Sequence, residues 1–267
     1  MRIKNLFGII IYMKILYFTG TGNCLSVAKR FNAELLSIPQ MLKNNIYEIE
    51  DDVVGIVYPT YAVSIPEIVR KYLSKCKINA TYVFVIATYG FTACGSLHVI
   101  KKVLESNGNK ADYYESLLMV DNYLPFFDID EQLAHLQEKN IEKNLNKIVE
   151  EVNSKIKKEE NCGFINNIIS NIGNLVVKQI EKYTPKMFYI TDKCVSCGVC
   201  KSVCPMANII QNDKQKPVYG DYCESCLACI HNCPQNAIHL KFQKSSKRFR
   251  NEDVTLKEII EANNINI

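Results

Sequence analysis

Eight cysteines between Cys194 and Cys233 fall into two copies of one pattern, C-x2-C-x2-C-x3-C-P. The first copy is Cys194, Cys197, Cys200 and Cys204 before Pro205; the second is Cys223, Cys226, Cys229 and Cys233 before Pro234, each cysteine 29 positions after its counterpart. An iron-sulfur cluster needs thiolates at the four corners of a small cube, and closely spaced cysteines in one tight loop supply three of them. The fourth must come from elsewhere. In a two-cluster arrangement the last cysteine of each run ligates the other cluster. The expected ligand sets are therefore Cys194, Cys197, Cys200 and Cys233 for one cluster, and Cys223, Cys226, Cys229 and Cys204 for the other. Zinc sites pair two C-x2-C units across a longer gap, and a cytosolic chain keeps its thiols reduced, so both zinc and disulfides are poorer readings. The duplicated stretch resembles no hydrolytic site: its chemistry is electron storage.

A second candidate site lies near the start of the chain. Thr19-Gly20-Thr21-Gly22-Asn23 offers two glycines whose backbone can approach an anion, two hydroxyls and a side-chain amide, ahead of an amphipathic segment. That combination suits a phosphate group. It lacks the lysine of a P-loop and the third glycine of a dinucleotide fingerprint, so ATP, GTP and NAD fit poorly. Two further loops, Pro59-Thr60-Tyr61-Ala62 and Thr88-Tyr89-Gly90-Phe91, each follow an apolar run and bring an aromatic ring. A flat heteroaromatic ligand with a phosphate tail would suit the three together.

The elements that position these loops alternate. MKILYF (13–18) precedes the glycine loop, and CLSVAKRFNAELL carries helical spacing at Leu25, Ala28, Phe31 and Leu35. DVVGIVYP then SIPEIVRKYLSKC, TYVFVIATYG then CGSLHVIKKVLESNG, and YYESLLMV then a long charged helix from about Asp130 to Lys158 repeat the scheme. Repeated βα units predict a parallel sheet with helices on both faces, and ligands in such sheets bind at the carboxyl ends of the strands. The stretch Ile46 to Ile49 reads as a short edge strand.

With these residues in view, positions 13 to about 160 resemble the flavodoxin family, and Cys194 to Pro234 resemble bacterial-type ferredoxins with two [4Fe-4S] clusters. The first resemblance implies a doubly wound sheet of order 2-1-3-4-5 and bound FMN. It implies a phosphate held by Thr19, Gly20, Thr21, Gly22, Asn23 and Cys24, with the loops at Pro59, Thr60, Tyr61 and at Thr88, Tyr89, Gly90 flanking the flavin ring. The chain departs from that family at Cys24, where threonine or serine is common, and in having no tryptophan; Tyr61 is the expected replacement for a stacking indole. The second resemblance implies a small α+β unit. Both together are similar to fused flavodoxin and ferredoxin proteins of anaerobic bacteria and archaea.

The expected division is a flavodoxin-like domain over 1–160, a helical linker over 161–186, a two-cluster domain over 187–242, and a basic tail with a short helix over 243–267. The linker reading rests on apolar residues recurring from Phe164 to Ile180, a helix with one greasy face. The tail, KSSKRFR followed by EDVTLKEIIEANN, is expected to be solvated and strapped across the surface. At 267 residues the chain has room for one full core and a small appended unit. A net charge of +4, with basic residues spread out, gives no nucleic-acid footprint. Lys14 interrupts the opening apolar stretch too early for a membrane span, and Met13, directly before the first strand, marks residues 1–12 as an extension or a misplaced start. A cytoplasmic protein is expected.

Of the cysteines outside the runs, Cys24 sits where a helix N-terminus could lower its thiol pKa, though a small residue facing the loop is the simpler reading. Cys76, Cys94 and Cys162 read as buried small hydrophobes, and His98, His135, His231 and His239 form no cluster. No nucleophile and base pair of the hydrolytic kind is present. The expected function is electron transfer between FMN and two [4Fe-4S] clusters, with redox proteins as partners and no catalytic side chain. The alternatives are a ferredoxin-fed flavin reductase acting on a small substrate, and a ferredoxin whose flavodoxin-like half serves as a docking surface without FMN.

Overall fold

A five-stranded sheet forms the centre of the chain in a computed structural model that describes residues 3–4, 10–93, 95–160, 183–212 and 216–265. Its strands are β1 (Met13–Tyr17), β2 (Glu34–Ser37), β3 (Val53–Pro59), β4 (Tyr82–Tyr89) and β5 (Tyr113–Leu118). They run parallel in the order β2-β1-β3-β4-β5, which is the 2-1-3-4-5 order of the flavodoxin-like doubly wound fold. The central strands are apolar along their whole length because both faces are covered; every residue of β3 but Pro59 is buried, and every residue of β4 but Tyr89. The expected doubly wound α/β architecture is therefore present.

One face of the sheet packs against α1 (Asn23–Lys29) and α6 (Ile141–Asn153), the other against α3 (Glu67–Leu73) and α4 (Ser96–Ser106). Between them α2 (Ile38–Lys43) follows β2, and α5 (Ile129–Ala134) follows β5. Three sequence expectations need correction. The first helix stops at Lys29, and Glu34–Ser37 pairs with Lys14–Tyr17 as a strand. Leu35 fits a helical spacing, but the chain turns at Asn32 with φ 51°, and a parallel ladder then sets the conformation. The charged segment after Asp130 is two helices, broken at Asn140, whose φ of 49° no continuous helix contains. The expected edge strand exists as Glu48–Glu50, but it pairs with Lys77–Asn79 in a separate two-stranded sheet. The apolar helix expected from Phe164 to Ile180 lies outside the described residues, as do Cys94 and Cys162.

The cysteine-rich segment is built as two similar halves. β6 (Phe188–Ile190) pairs antiparallel with β9 (Ile238–Leu240), and β7 (Ile209–Gln211) with β8 (Pro217–Tyr219). Two short helices, α7 (Val199–Ser202) and α8 (Ala228–His231), carry Cys200 and Cys229, the third cysteine of each run. The backbone repeats with the sequence. Ser196 and Ser225, Gly198 and Leu227, Ala207 and Asn236 are pairs 29 positions apart, and all six have positive φ.

The tail straps across the surface as expected, but it is solvated along one face only. α9 (Leu256–Asn263), started by a capping box between Thr255 and Glu258, buries Ile259, Ala262 and Asn263. The core on the α1 side of the sheet is continuous with Val203, Ile209, Leu227 and Ile230 of the cysteine segment and with Phe249, Val254 and Ile259 of the tail. A solvated helix was expected, but Leu256, Ile259, Ile260 and Ala262 pack against the core. Among the described residues no helix is long and apolar enough to cross a membrane.

Candidate functional site

On four of the eight run thiols the neighbouring charges include a cysteine of the opposite run. Burial pushes the Cys200 thiol up to about 11, and Cys233, Cys197 and Cys194 add to the rise. Burial pushes Cys223 up to about 12, with Cys204 and Glu224 adding. Cys226 and Cys229 are driven well above the ordinary thiol value, first by burial and then by neighbours that include Cys204 and Cys223. Cys233 thus stands near Cys200 of the first run, and Cys204 near Cys223, Cys226 and Cys229 of the second. All ten described cysteines are free of disulfides. No group of three or more His, Cys, Asp or Glu among the described residues gathers about a single ion. Backbone amides already point at sulfur: Asn208 N–H donates to Cys204 Sγ at 3.4 Å, Ala237 N–H to Cys233 Sγ at 3.3 Å, and Ser225 N–H to Cys223 Sγ at 3.4 Å. Such bonds are one of the means by which a protein sets a cluster's potential.

Beside the second run lies a cavity of about 250 Å³. The loops after β3 and β4 form two of its walls, with Pro59, Thr60 and Tyr61 on one and Thr88, Tyr89 and Gly90 on the other, and Asn23 reaches it from the glycine loop. These are seven of the twelve residues expected to touch a flavin. The third wall, Val120 to Tyr123 with Phe126 and Phe127, carries no signal in the sequence, and the fourth is Glu224 to Leu227 of the second cysteine run. Phe91 and Phe126 stand exposed at the mouth, at 78% and 63%. Tyr61 is half-buried, and its hydroxyl is pushed well above its ordinary value, first by burial and then by Cys226. No lysine, arginine or histidine among the described residues lines this cavity.

The glycine loop itself is sealed. Residues 19–24 are all buried, and a side chain at Gly20 would collide with the Cys226 carbonyl oxygen at 2.7 Å. The tail covers the other side: the Asn251 N–H donates to the Thr21 carbonyl at 2.9 Å, and Asn263 Nδ2 to the Thr19 carbonyl at 2.9 Å. The side chains expected to meet a phosphate have partners within the chain. Thr19 Oγ1 accepts from the Gly22 N–H at 3.0 Å, Thr21 Oγ1 accepts from Asn122 Nδ2 at 2.8 Å, and Asn23 bonds both the Val120 carbonyl and Asn251 Nδ2. The backbone N–H groups of Gly20, Thr21, Asn23 and Cys24, by contrast, meet no acceptor among the described residues. Buried amides without partners are rare in folded chains, and an anion held by backbone alone would satisfy them.

Cys24 is buried, its sulfur 3.2 Å from Thr88 Oγ1, and burial pushes its thiol up to about 12. Desolvation outweighs any lowering by the helix end, so the reactive-thiol reading is set aside. Cys76 is buried near the Tyr72 hydroxyl, as a packing residue should be. The four histidines stay apart, each with its own partners. His231 nevertheless has a structural task. Its Nδ1 accepts from the Phe249 N–H at 3.1 Å, so Nε2 carries the proton and donates to the Asn122 carbonyl at 2.8 Å. One ring thereby joins the second run, the tail and the cavity wall. His231→Leu should lower unfolding free energy by about 2–4 kcal/mol, since two buried backbone groups lose their partners, measurable by denaturant titration of the cluster-loaded protein.

Glu224 is a further residue that the sequence did not single out. Both its oxygens accept from the Ile68 N–H, at 3.3 and 3.2 Å, so a carboxylate of the cysteine run sits at the first turn of α3. Only the fold brings residues 156 positions apart together there; a lone acid between cysteines has no signature of its own.

Residues 186–234 match a family described as 4Fe-4S dicluster domain. An uncharacterized ferredoxin of Methanocaldococcus jannaschii is 36% identical over 66 residues, covering 23% of this chain and 86% of its own length. Pyruvate synthase subunit PorD of Methanothermobacter marburgensis is 38% identical over 61 residues, 23% of this chain and 72% of its own. Among solved structures, two-electron reduced flavodoxin of Megasphaera elsdenii aligns over 39% of this chain and 84% of its own at 17% identity and a TM-score of 0.29, a likeness too slight to add to the strand order.

Proposed function

The chain belongs to the ferredoxins that carry two [4Fe-4S] clusters, fused behind a flavodoxin-like domain, and we propose that it moves electrons between those clusters and an FMN seated in the cavity. One observation carries the reading: the cavity between the aromatic loops is closed by Glu224 to Leu227, so the wall that a flat ligand would touch includes Cys226, a cluster-run cysteine. A cluster passes electrons singly, whereas a flavin stores one or two, so the pairing joins one-electron carriers to two-electron chemistry.

In this reading Cys194, Cys197, Cys200 and Cys233 hold one cluster, and Cys204, Cys223, Cys226 and Cys229 hold the other. The latter is the one beside the cavity. Tyr61 and Tyr89 flank the ring, and the unpartnered amides of Gly20, Thr21, Asn23 and Cys24 hold the phosphate, in place of the threonine hydroxyls expected from the sequence. The sealed glycine loop excludes water from that phosphate. Residues 1–160 supply the flavin half and 187–242 the clusters, while the tail closes both. A carrier protein exchanges electrons at the Cys194 side, where Cys197 is exposed.

The exposed aromatic mouth at Phe91 and Phe126 favours a second reading, a reductase whose flavin serves a small planar substrate entering there. Anaerobic purification followed by iron analysis and acid extraction separates these. About eight irons and one FMN per chain is the expected result. Iron without flavin would leave a ferredoxin with a docking domain, and consumption of a small acceptor by the reduced protein without a carrier would favour the reductase.

A further inference from the structure

Two carboxyl groups line the cavity, and the structure treats them differently. Glu224 has both oxygens on the Ile68 N–H and serves packing. Asp121, three residues past the end of β5, is not tied in that way. Its own N–H donates to Gln132 Oε1 at 3.1 Å and its Oδ1 accepts from the Tyr123 N–H at 3.0 Å, while no side chain among the described residues bonds either carboxyl oxygen. The Asp121 side chain packs directly against Gly90. A β-carbon there would stand 2.2 Å from Asp121 Cβ and 2.3 Å from Oδ2, so only glycine permits the approach. Gly90 belongs to the loop expected to flank the ring, and Oδ2 therefore sits at the cavity edge beside that loop.

We propose that Asp121 is the proton donor of this cavity, holding at Oδ2 the proton that a bound heteroaromatic ring takes up with its electrons. The proposal rests on the FMN reading above and adds to it the residue that keeps charge balanced. Clusters deliver electrons without protons, so negative charge would otherwise accumulate on the ring in a cavity where no described residue brings a basic side chain. In the balanced step the Oδ2–H bond breaks as an N–H bond forms on the ring. The electrons arrive singly through the clusters from a reduced carrier protein, and the carboxylate recovers its proton from water at the mouth beside Phe91 and Phe126.

The surroundings suit that task. Burial raises the Asp121 carboxyl to about 6, against the opposing pull of the Tyr123 amide and of Lys139 on the turn after α5. Lys139 is itself pushed down by burial. Two tyrosines that face the cavity hold their protons more tightly: Tyr61 and Tyr123 are both pushed up, first by burial. Since a raised carboxyl is neutral below its pKa and charged above it, donation from Oδ2 should weaken as pH rises through about 6.

The test uses full-length, cluster-loaded protein under anaerobic conditions, with FMN affinity read by fluorescence and FMN midpoint potential followed across pH. The wild-type potential should bend near pH 6. Asp121→Asn retains an oxygen for the Tyr123 N–H; compared at full FMN loading, it should lose the bend, and its flavin should be reduced at least about 10²-fold more slowly after photoreduction of the clusters. Absence of the bend in the wild type, or identical curves in both proteins, overturns the inference while leaving FMN binding in place. Failure of the wild type to take up FMN overturns the reading beneath it, and the inference falls with it.

Discussion

Cys204→Ala is expected to halve the iron content, from about eight to about four atoms per chain, and to remove only the cluster associated with Cys223, Cys226 and Cys229. Cys204 lies in the first run, so a reading by sequence proximity would assign the damage to the wrong cluster. Cys204 appears among the charges raising Cys223, Cys226 and Cys229, while Cys233 appears in that role for Cys200. Iron and sulfide analysis with electron paramagnetic resonance of the reduced protein would read the outcome, and Cys233→Ala should give the complementary spectrum. Loss confined to the cluster on Cys194, Cys197 and Cys200 would reverse the assignment. A second consequence follows from position. Because Cys226 is part of the cavity wall, Cys204→Ala should also loosen FMN, whereas Cys233→Ala should not.

Gly20→Ala should weaken FMN binding and destabilise the fold without removing iron. The added methyl group would lie 2.7 Å from the Cys226 carbonyl oxygen and 3.2 Å from Cys226 Cβ, so the glycine loop and the cysteine run must move apart. Neither neighbour is the flexible end of a long side chain. Overpacking of this kind costs about 1–3 kcal/mol, and thermal unfolding should shift downward by about 2–4 °C for each of those kcal/mol. The check is a thermal melt paired with FMN fluorescence titration and iron analysis. An unchanged melt would mean that the contact between the two loops gives way freely.

Much of this site was legible because its signals are local. Cysteines two residues apart in a duplicated run specify cluster loops through spacing alone, and uninterrupted apolar runs such as VVGIVY specify buried parallel strands. Leu35 misled because a leucine suits either a helix or a strand, and only pairing with Ile15 decides between them. Asn140 concealed a helix break, since asparagine enters the left-handed region without glycine's visible signature. Glu224, Asp121, Asn251 and Asn263 were out of reach for a different reason. Each matters through a partner far along the chain, and a polar residue in a loop carries no mark of what it will meet. Thr19 and Thr21 were correctly placed in the glycine loop, yet their hydroxyls turn to the chain itself.

The bond from Asn263 to the Thr19 carbonyl spans 244 positions, and it bears on how the protein is made. Chains generally fold from the N-terminus during synthesis, but the first strand-loop-helix unit of this one is closed by α9. A ribosome-bound intermediate would therefore present an open glycine loop until Leu256–Asn263 has emerged, leaving an interval in which the proposed FMN would have access before the tail docks over it.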